Sequence, residues 1–104
     1  MEQKIENTAR GIIIDKGELL VFRLAKSDDW YSLPGGRIEF GENIEDAIVR
    51  EMVEETGIKP DVGKLLLVHD LVLSDKHRIE FFYYIKNGAD YRNIDLLKAT
   101  HGFE

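Results

Sequence analysis

Residues 36–58 read GRIEFGENIEDAIVREMVEETGI, and this stretch decides how the rest of the chain is interpreted. Its second half predicts an α-helix. Asn43 is a favourable N-cap residue, and Asp46 lies three positions later, in the capping-box position and in the first turn, where an acid is favourable. Gly57 is placed to end the helix in a left-handed conformation, and Pro60 follows just beyond it. The stretch is therefore a glycine-containing loop followed by a helix.

Three carboxylates lie on the inward face of this predicted helix. At about 100° per residue, Glu51, Glu54 and Glu55 fall in one sector. Carboxylates roughly 5–6 Å apart repel by roughly 3 kcal/mol at an effective dielectric constant of 20. Within the helix only Arg50 offsets this, four residues before Glu54. A cluster of oxygen ligands suits Mg²⁺, Mn²⁺ or Ca²⁺, whereas the alternative is a solvated charged face. The same sector contains the apolar residues Ile44, Ala47 and Ile48.

The loop before the helix has the glycine spacing of a phosphate-binding loop but not its cation. Gly36 and Gly41 are separated by four residues, and the next residue is Glu42 rather than lysine. A phosphate-binding loop of that type needs the lysine to reach the phosphates. An anionic ligand at this loop would therefore be held only through a bridging metal ion.

The complete pattern resembles the Nudix box of the MutT-like Nudix hydrolases. Gly36 is followed after five residues by Glu42, and after seven more by the run 50–58, REMVEETGI. Residues 33–35, Leu-Pro-Gly, match the family's usual lead-in. The resemblance implies an α+β fold of the Nudix type, an α/β/α sandwich with a mixed, mostly antiparallel sheet and here a reduced C-terminal helical layer.

The resemblance also implies a metal centre. Its expected ligands are the backbone carbonyl of Gly35 and the side chains of Glu51, Glu54 and Glu55, and its expected ion is Mg²⁺ or Mn²⁺. Such an ion bridges to a diphosphate and lowers the pKa of a bound water that attacks phosphorus.

Further roles follow from the same resemblance. Glu51 or Glu54 is expected to take the proton from the attacking water, and the residues do not decide between them. Arg50 is expected to orient the glutamates. Gly36 and Glu42 are expected to brace the loop or to join the outer shell of the metal.

Four residues are candidates for contacting the substrate. Arg10 and Arg23 are expected to flank two strands, where they would meet a phosphate or a ribose or simply be solvated strand-end charges. Arg37 lies within the motif, and Trp30 is either a partly buried anchor or a platform for a base. We expect the substrate to be a small nucleoside diphosphate derivative.

Composition narrows the functional classes. The chain has 104 residues, which predicts a single domain over residues 1–104. Its net charge of −6 disfavours binding to large nucleic acids or anionic membranes. The absence of cysteine excludes disulfides and thiolate chemistry. Because no targeting segment or long apolar span is found, we expect a cytoplasmic protein.

The remaining elements are mainly strands. Alternating or continuous apolar runs predict them at 8–14, 18–23, 30–33, 62–73 and 77–85. In the tail, Asn93 is a possible cap for a short helix at 94–99. We expect this C-terminal part to be short or truncated for the family, so that an apolar sheet face stays uncovered. A homodimer would cover that face.

The sequence therefore predicts Mg²⁺-dependent hydrolysis of a diphosphate linkage. One alternative is a Nudix-like sensor that binds a nucleotide or a nucleotide sugar without hydrolysing it. Another is a domain that only buffers divalent ions, which would explain the acids but not the glycine-rich loop.

Overall fold

The computed structural model describes residues 3–23 and 31–94. Within these ranges the chain forms eight strands, one α-helix and one short 3₁₀ helix. Their bounds are β1 Ile5–Ile12, β2 Ile14–Asp15, β3 Glu18–Leu19, β4 Phe22–Arg23, β5 Tyr31–Ser32, β6 Gly35–Arg37, α1 Ile44–Thr56, β7 Val62–Val72, β8 His77–Ile85 and the 3₁₀ helix Gly88–Tyr91.

A four-stranded sheet is the centre of the fold, with the strand order β6-β1-β8-β7. Strand β1 pairs antiparallel with β6 and parallel with β8, and β7 pairs antiparallel with β8. Two small ribbons, β2-β3 and β4-β5, lie outside this sheet. This arrangement confirms the expected mixed, mostly antiparallel sheet in an α+β fold.

The first two predicted strands differ from those observed. The strand expected at 8–14 starts at Ile5, because β8 supplies parallel partners from His77 onward. The strand expected at 18–23 is split into β3 and β4. Lys16 and Gly17, with φ angles of 52° and 77°, form a tight turn. The strands on its two sides, β2 and β3, pair over only two residues each. After that turn β4 pairs with β5 instead of continuing the hairpin.

Strand β6 was not predicted, because its residues look like a glycine loop. Gly36 is the register partner of Ala9, so the loop begins as an edge strand of the sheet. The two long strands were predicted accurately: β7 ends one residue earlier than expected and β8 has the expected bounds.

Helix α1 begins and ends where the sequence predicts. The Asn43 side chain accepts a hydrogen bond of 2.9 Å from the backbone N–H of Asp46. Gly57 has a φ of 76°, and its N–H donates to the carbonyl oxygen of Val53 at 2.8 Å. The helix buries Ala47, Ile48 and Met52 completely against one face of the sheet, where the buried residues include Ala9, Ile13 and Ile85.

Gly11 of β1 allows the helix to approach the sheet closely. A Cβ atom at this position would lie 2.8 Å from the sulfur of Met52. Any side chain here would therefore push α1 away from β1, and with it the carboxylates that the helix carries.

After β8 the chain returns to the helix. The hydroxyl of Tyr91 donates a hydrogen bond of 3.0 Å to the carbonyl oxygen of Ile58, just beyond α1. Arg92 contacts Asp15 and Glu18 of the β2-β3 ribbon. The helix predicted at 94–99 lies outside the described residues from position 95 onward. In the part of the chain that the structure describes, no helix is long and apolar enough to span a membrane.

Candidate functional site

The carbonyl and amide of Gly35 lie at the meeting point of the sheet and the helix. Gly35 has a φ of 135°, a backbone conformation that favours glycine. A Cβ atom there would lie 2.1 Å from the backbone oxygen of Ala9. Only glycine fits at this position, because both the backbone angle and the closeness of β1 exclude a side chain.

Gly36 provides the space that the first glutamate of the cluster occupies. A Cβ atom on Gly36 would lie 2.4 Å from Oε2 of Glu51. The Glu51 side chain is 16% exposed, so its carboxylate rests against the loop. The glycine loop and the acidic helix are therefore in direct contact.

Arg50 links the loop to the carboxylates. It donates to Glu42 through Nη2 at 2.7 Å and Nε at 3.1 Å, and to Glu51 through Nη1 at 2.8 Å. It also donates to the backbone carbonyl of Arg37 at 3.0 Å and lies 3.7 Å from Glu54. The hydrogen bond that Arg50 donates to Glu42 is the main cause that raises the pKa of Arg50, and it is also the main cause that lowers the pKa of Glu42.

Glu55 is the acid of the cluster that binds the backbone of the loop. Its Oε1 accepts a hydrogen bond of 2.9 Å from the backbone N–H of Gly35. Burial is the main cause that raises the pKa of Glu55 to about 7, and the charges of Glu51 and Glu54 add to it. The Gly35 N–H and the Arg10 charge act in the opposite direction. The cluster therefore holds more negative charge than its neighbours compensate.

The donor atoms of this cluster have the chemistry that a hard divalent cation requires. Glu51, Glu54, Glu55 and the Gly35 carbonyl offer only oxygen. Burial and then the charges of Glu51 and Glu54 disfavour the ionised form of Glu55, and a bound cation would favour that form. Over residues 3–23 and 31–94, no three His, Asp or Glu side chains are arranged to hold a metal ion. Glu51 accepts from Arg50 and Glu55 from the Gly35 N–H, each through Oε1, which leaves the second oxygen of each carboxylate for a metal ion.

Of the four predicted substrate-contacting residues, the structure describes the side chains of Arg10 and Arg37. Arg10 lies inside β1 rather than at a strand end, and its side chain is 18% exposed. Arg37 is 73% exposed and pairs with Glu6 at 2.8 Å. Arg23 ends β4, and its side chain is not described. Trp30 lies outside the described residues.

Sequence reasoning missed the partner of Arg10. Nε of Arg10 donates to Oε2 of Glu80 at 3.2 Å, and its Nη1 donates to the carbonyl oxygens of Leu33 and Gly35 at 3.1 and 3.4 Å. The available signal was the alternation of β8, in which Glu80 is the acid on the face that also carries Phe82. That pattern does not say which strand pairs with β8.

Comparisons with known proteins show the family to which the chain belongs. The model of the NUDIX domain family matches residues 6–98. A protein named putative nudix hydrolase 1 from Caenorhabditis elegans is 35% identical, over 96% of this chain and 32% of its own length. The ADP-ribose pyrophosphatase of Methanocaldococcus jannaschii is 42% identical, over 55% of this chain and 36% of its own length. The crystal structure of a MutT NUDIX hydrolase from Burkholderia pseudomallei superposes with a TM-score of 0.74 at 25% identity, covering 80% of this chain and 67% of that one.

The two curated relatives are longer than the part of them that this chain matches. The chain spans about a third of the length of the two curated relatives, with 32% and 36% of their residues covered. The similarity therefore concerns the NUDIX domain itself.

Proposed function

The chain belongs to the Nudix family, and on this premise we propose that it hydrolyses a diphosphate linkage in a small nucleoside diphosphate derivative with the help of Mg²⁺ or Mn²⁺. The observation that carries this proposal is the contact between the glycine loop and the acidic helix, where Glu55 binds the Gly35 amide and Glu51 rests on Gly36. Because a diphosphate and these carboxylates are both negatively charged, they can lie side by side only when a cation binds between them.

Four groups of this chain would hold the ion. They are the side chains of Glu51, Glu54 and Glu55 and the carbonyl oxygen of Gly35. When bound, the ion supplies charge neutralisation at the diphosphate and acidifies a water molecule. The Gly35 carbonyl oxygen accepts from Nη1 of Arg10 at 3.4 Å.

Residues of helix α1 accept the proton of the attacking water and orient the carboxylates. Glu51 or Glu54 takes the proton of the attacking water, since both are partly exposed and lie near Arg50. Arg50 restrains Glu51 through its hydrogen bond and is itself restrained by Glu42. Glu42 also accepts from the backbone N–H of Glu39 at 2.9 Å, which braces the loop.

Residues outside the motif recognise the group that is attached to the diphosphate of the substrate. One relative is named an ADP-ribose pyrophosphatase, which makes ADP-ribose a reasonable first substrate. Arg37 is the candidate for an anionic or hydroxyl contact, because its exposed guanidinium lies at the edge of the loop. The alternative is a sensor that binds such a compound without cleaving it.

A substrate panel tests the proposal. ADP-ribose, nucleotide sugars and nucleoside triphosphates are incubated with the protein and Mg²⁺ or Mn²⁺, and phosphate, pyrophosphate and mononucleotide are quantified. We expect product only with the metal, together with a higher melting temperature in millimolar metal than in chelator. Saturable binding without product would favour the sensor. An unchanged melting temperature would contradict a metal site on α1.

Self-association as a two-fold dimer remains a prediction, and β7 supports it. Among the described strands β7 lies at an edge of the sheet, and it exposes apolar side chains on both faces. An edge strand of this kind favours pairing with another strand. Sedimentation at micromolar concentration decides it, and a 12.0 kDa species without concentration dependence would contradict the dimer. The large hydrophobic residues of and beside β7, exposed by 43–67%, are Leu65, Leu66, Leu67, Val68, Val72 and Leu73.

A further inference from the structure

Strand β1 donates hydrogen bonds to three consecutive carbonyl groups in the turn that contains Gly35. The guanidinium of Arg10 donates through Nη1 to the carbonyl oxygens of Leu33 and Gly35, at 3.1 and 3.4 Å. Between them, the carbonyl oxygen of Pro34 accepts from the backbone N–H of Gly11 at 2.9 Å. One side chain and one amide of the same strand therefore fix the direction of all three carbonyls.

The bond to Gly35 is long, and this has a consequence for the carbonyl oxygen. A carbonyl oxygen has two acceptor positions, and a contact of 3.4 Å occupies one of them weakly. The oxygen is thus oriented by Arg10 and can still accept a second partner. On the other side of the same residue, the N–H of Gly35 is bound by Glu55 at 2.9 Å.

Arg10 is itself held by an anion on the next strand. Its Nε donates to Oε2 of Glu80 at 3.2 Å, and the hydroxyl of Thr8 donates to the same oxygen at 3.3 Å. The two charged side chains are 18% and 15% exposed. The parallel pairing of β1 with β8 makes this contact, because Thr8 and Glu80 are register partners.

The charge of Glu80 determines what Arg10 can do beside a cation. An unpaired guanidinium at the Gly35 carbonyl would repel a divalent ion bound to the same oxygen. Paired with Glu80, Arg10 supplies directed N–H groups while its positive charge is compensated. A lysine has one ammonium group and lacks the planar fork that reaches Glu80 and both carbonyls together.

We propose that Arg10, fixed by Glu80, is a positioning residue that orients the Gly35 carbonyl oxygen for binding the metal ion. This inference rests on the proposed metal-dependent function and deepens it, since it assigns Arg10 to the metal side of the site rather than to direct contact with the substrate. Glu80 acts through Arg10 and touches neither the metal nor the substrate.

The test compares Arg10→Lys with Arg78→Lys. Arg78 makes an equivalent pair on the same face of the same two strands, with Nη2 3.2 Å from Oε1 of Glu6 and exposures of 27% and 22%. The dissociation constant for Mn²⁺ is measured without substrate, by electron paramagnetic resonance of the free ion. We expect Arg10→Lys to weaken Mn²⁺ binding by about tenfold or more, as is typical when a residue that orients a metal ligand is changed. Arg78→Lys should leave the constant within about twofold, since surface changes away from a site have small effects.

Three further measurements separate positioning from a general loss of structure. In the metal-free protein, the Gly35 amide should exchange its hydrogen faster in Arg10→Lys than in Arg78→Lys, while helix amides exchange alike. Glu80→Gln keeps the shape of the pair and removes its negative charge, so it should also weaken Mn²⁺ binding. With the diphosphate substrate, added metal should restore the turnover of Arg10→Lys toward that of the wild type.

The outcomes distinguish this inference from the proposed function. If the wild type binds Mn²⁺ but cleaves no member of the substrate panel, the hydrolase proposal fails and the Mn²⁺ constants still decide the role of Arg10. If Arg10→Lys and Glu80→Gln bind Mn²⁺ as the wild type does, the positioning role is overturned while hydrolysis can stand. A wild type that binds no Mn²⁺ overturns both.

Discussion

Two arginine–glutamate clusters hold the same glycine loop from opposite sides, and they are assembled in different ways. The Arg50 cluster joins residues that are one and eight positions apart, Glu51 and Glu42. The pair of Arg10 with Glu80 joins residues 70 positions apart. The first lies at the helix and the second on the opposite face of the sheet, and Gly35 is situated between them.

This difference teaches which part of the site local sequence can specify. The members of the Arg50 cluster come together as soon as the loop and helix α1 form, because helical geometry sets their spacing. Arg10 and Glu80 meet only when β1 and β8 pair in parallel, which requires the whole intervening chain to fold. The motif therefore carries the chemistry, and the sheet supplies the support behind it.

The largest expected effect comes from the helix side of this comparison. Glu54→Gln removes one carboxylate of the proposed metal site while keeping its size, and we expect turnover to fall by at least about 100-fold. Thermal stability without metal should stay the same or rise, because repulsion within the acidic cluster decreases. Steady-state rates and melting curves in chelator measure the two effects.

Glu45→Gln is the control for this change. Glu45 lies on the same helix, in its exposed first turn. Its replacement should leave turnover within about twofold, since surface changes away from a site have small effects. Near-normal turnover of Glu54→Gln would break the assignment of the acidic cluster as the catalytic side.

The next effect concerns the residue between the two clusters. Gly35→Ala places a methyl group 2.1 Å from the Ala9 oxygen, at a φ of 135°. We expect a loss of about 3 kcal/mol or more in the free energy of unfolding, measured by urea denaturation. Gly41→Ala is the matched control, because Gly41 has a φ of 90° and nothing within 4 Å of its Cβ position. Its expected cost is backbone strain alone, about 1 kcal/mol. Equal losses would show that β1 does not restrain the loop.

The smallest effect is a dependence on pH at Glu55, which both clusters influence. Its pKa is raised from 4.5 to about 7 in the folded protein. Below pH 4.5 the carboxyl is protonated in both states and costs nothing. As the pH rises to about 7, ionisation favours the unfolded state and stability is lost, and above that value the loss is constant.

Glu55→Gln tests this directly, because glutamine keeps the acceptor for the Gly35 amide and does not ionise. In chelator, the variant should be more stable than the wild type at pH 8 by about 1–2 kcal/mol, after discounting for partial exposure of the group. The difference should shrink toward zero near pH 4.5. A gain that is the same at both pH values would show that the burial of this charge does not matter.

The sequence by itself determined helix α1, its two caps, the family and two long strands, which were predicted at 62–73 and 77–85. These features depend on local rules: a capping side chain, a left-handed glycine, a periodic apolar pattern and the spacing of one motif. Residues Arg50, Glu51 and Glu54 could be identified for the same reason, since their neighbours lie within three turns of the helix or in the loop before it. The sequence also predicted that Arg50 pairs with Glu54, four positions later on the helix, and the two side chains lie 3.7 Å apart.

Only the tertiary structure decided the rest. That Gly35–Arg37 forms an edge strand, that β1 lies between β6 and β8, and that Arg10 is bound to Glu80 all follow from strand pairing. Backbone pairing depends on which apolar faces bury each other, and a single sequence does not state which strand is adjacent to which. The pKa of Glu55 likewise depends on tertiary structure, since the Gly35 amide and the Arg10 charge act on it from two strands. Residues close in sequence brought the acids together, whereas residues far apart determined how strongly those acids are held.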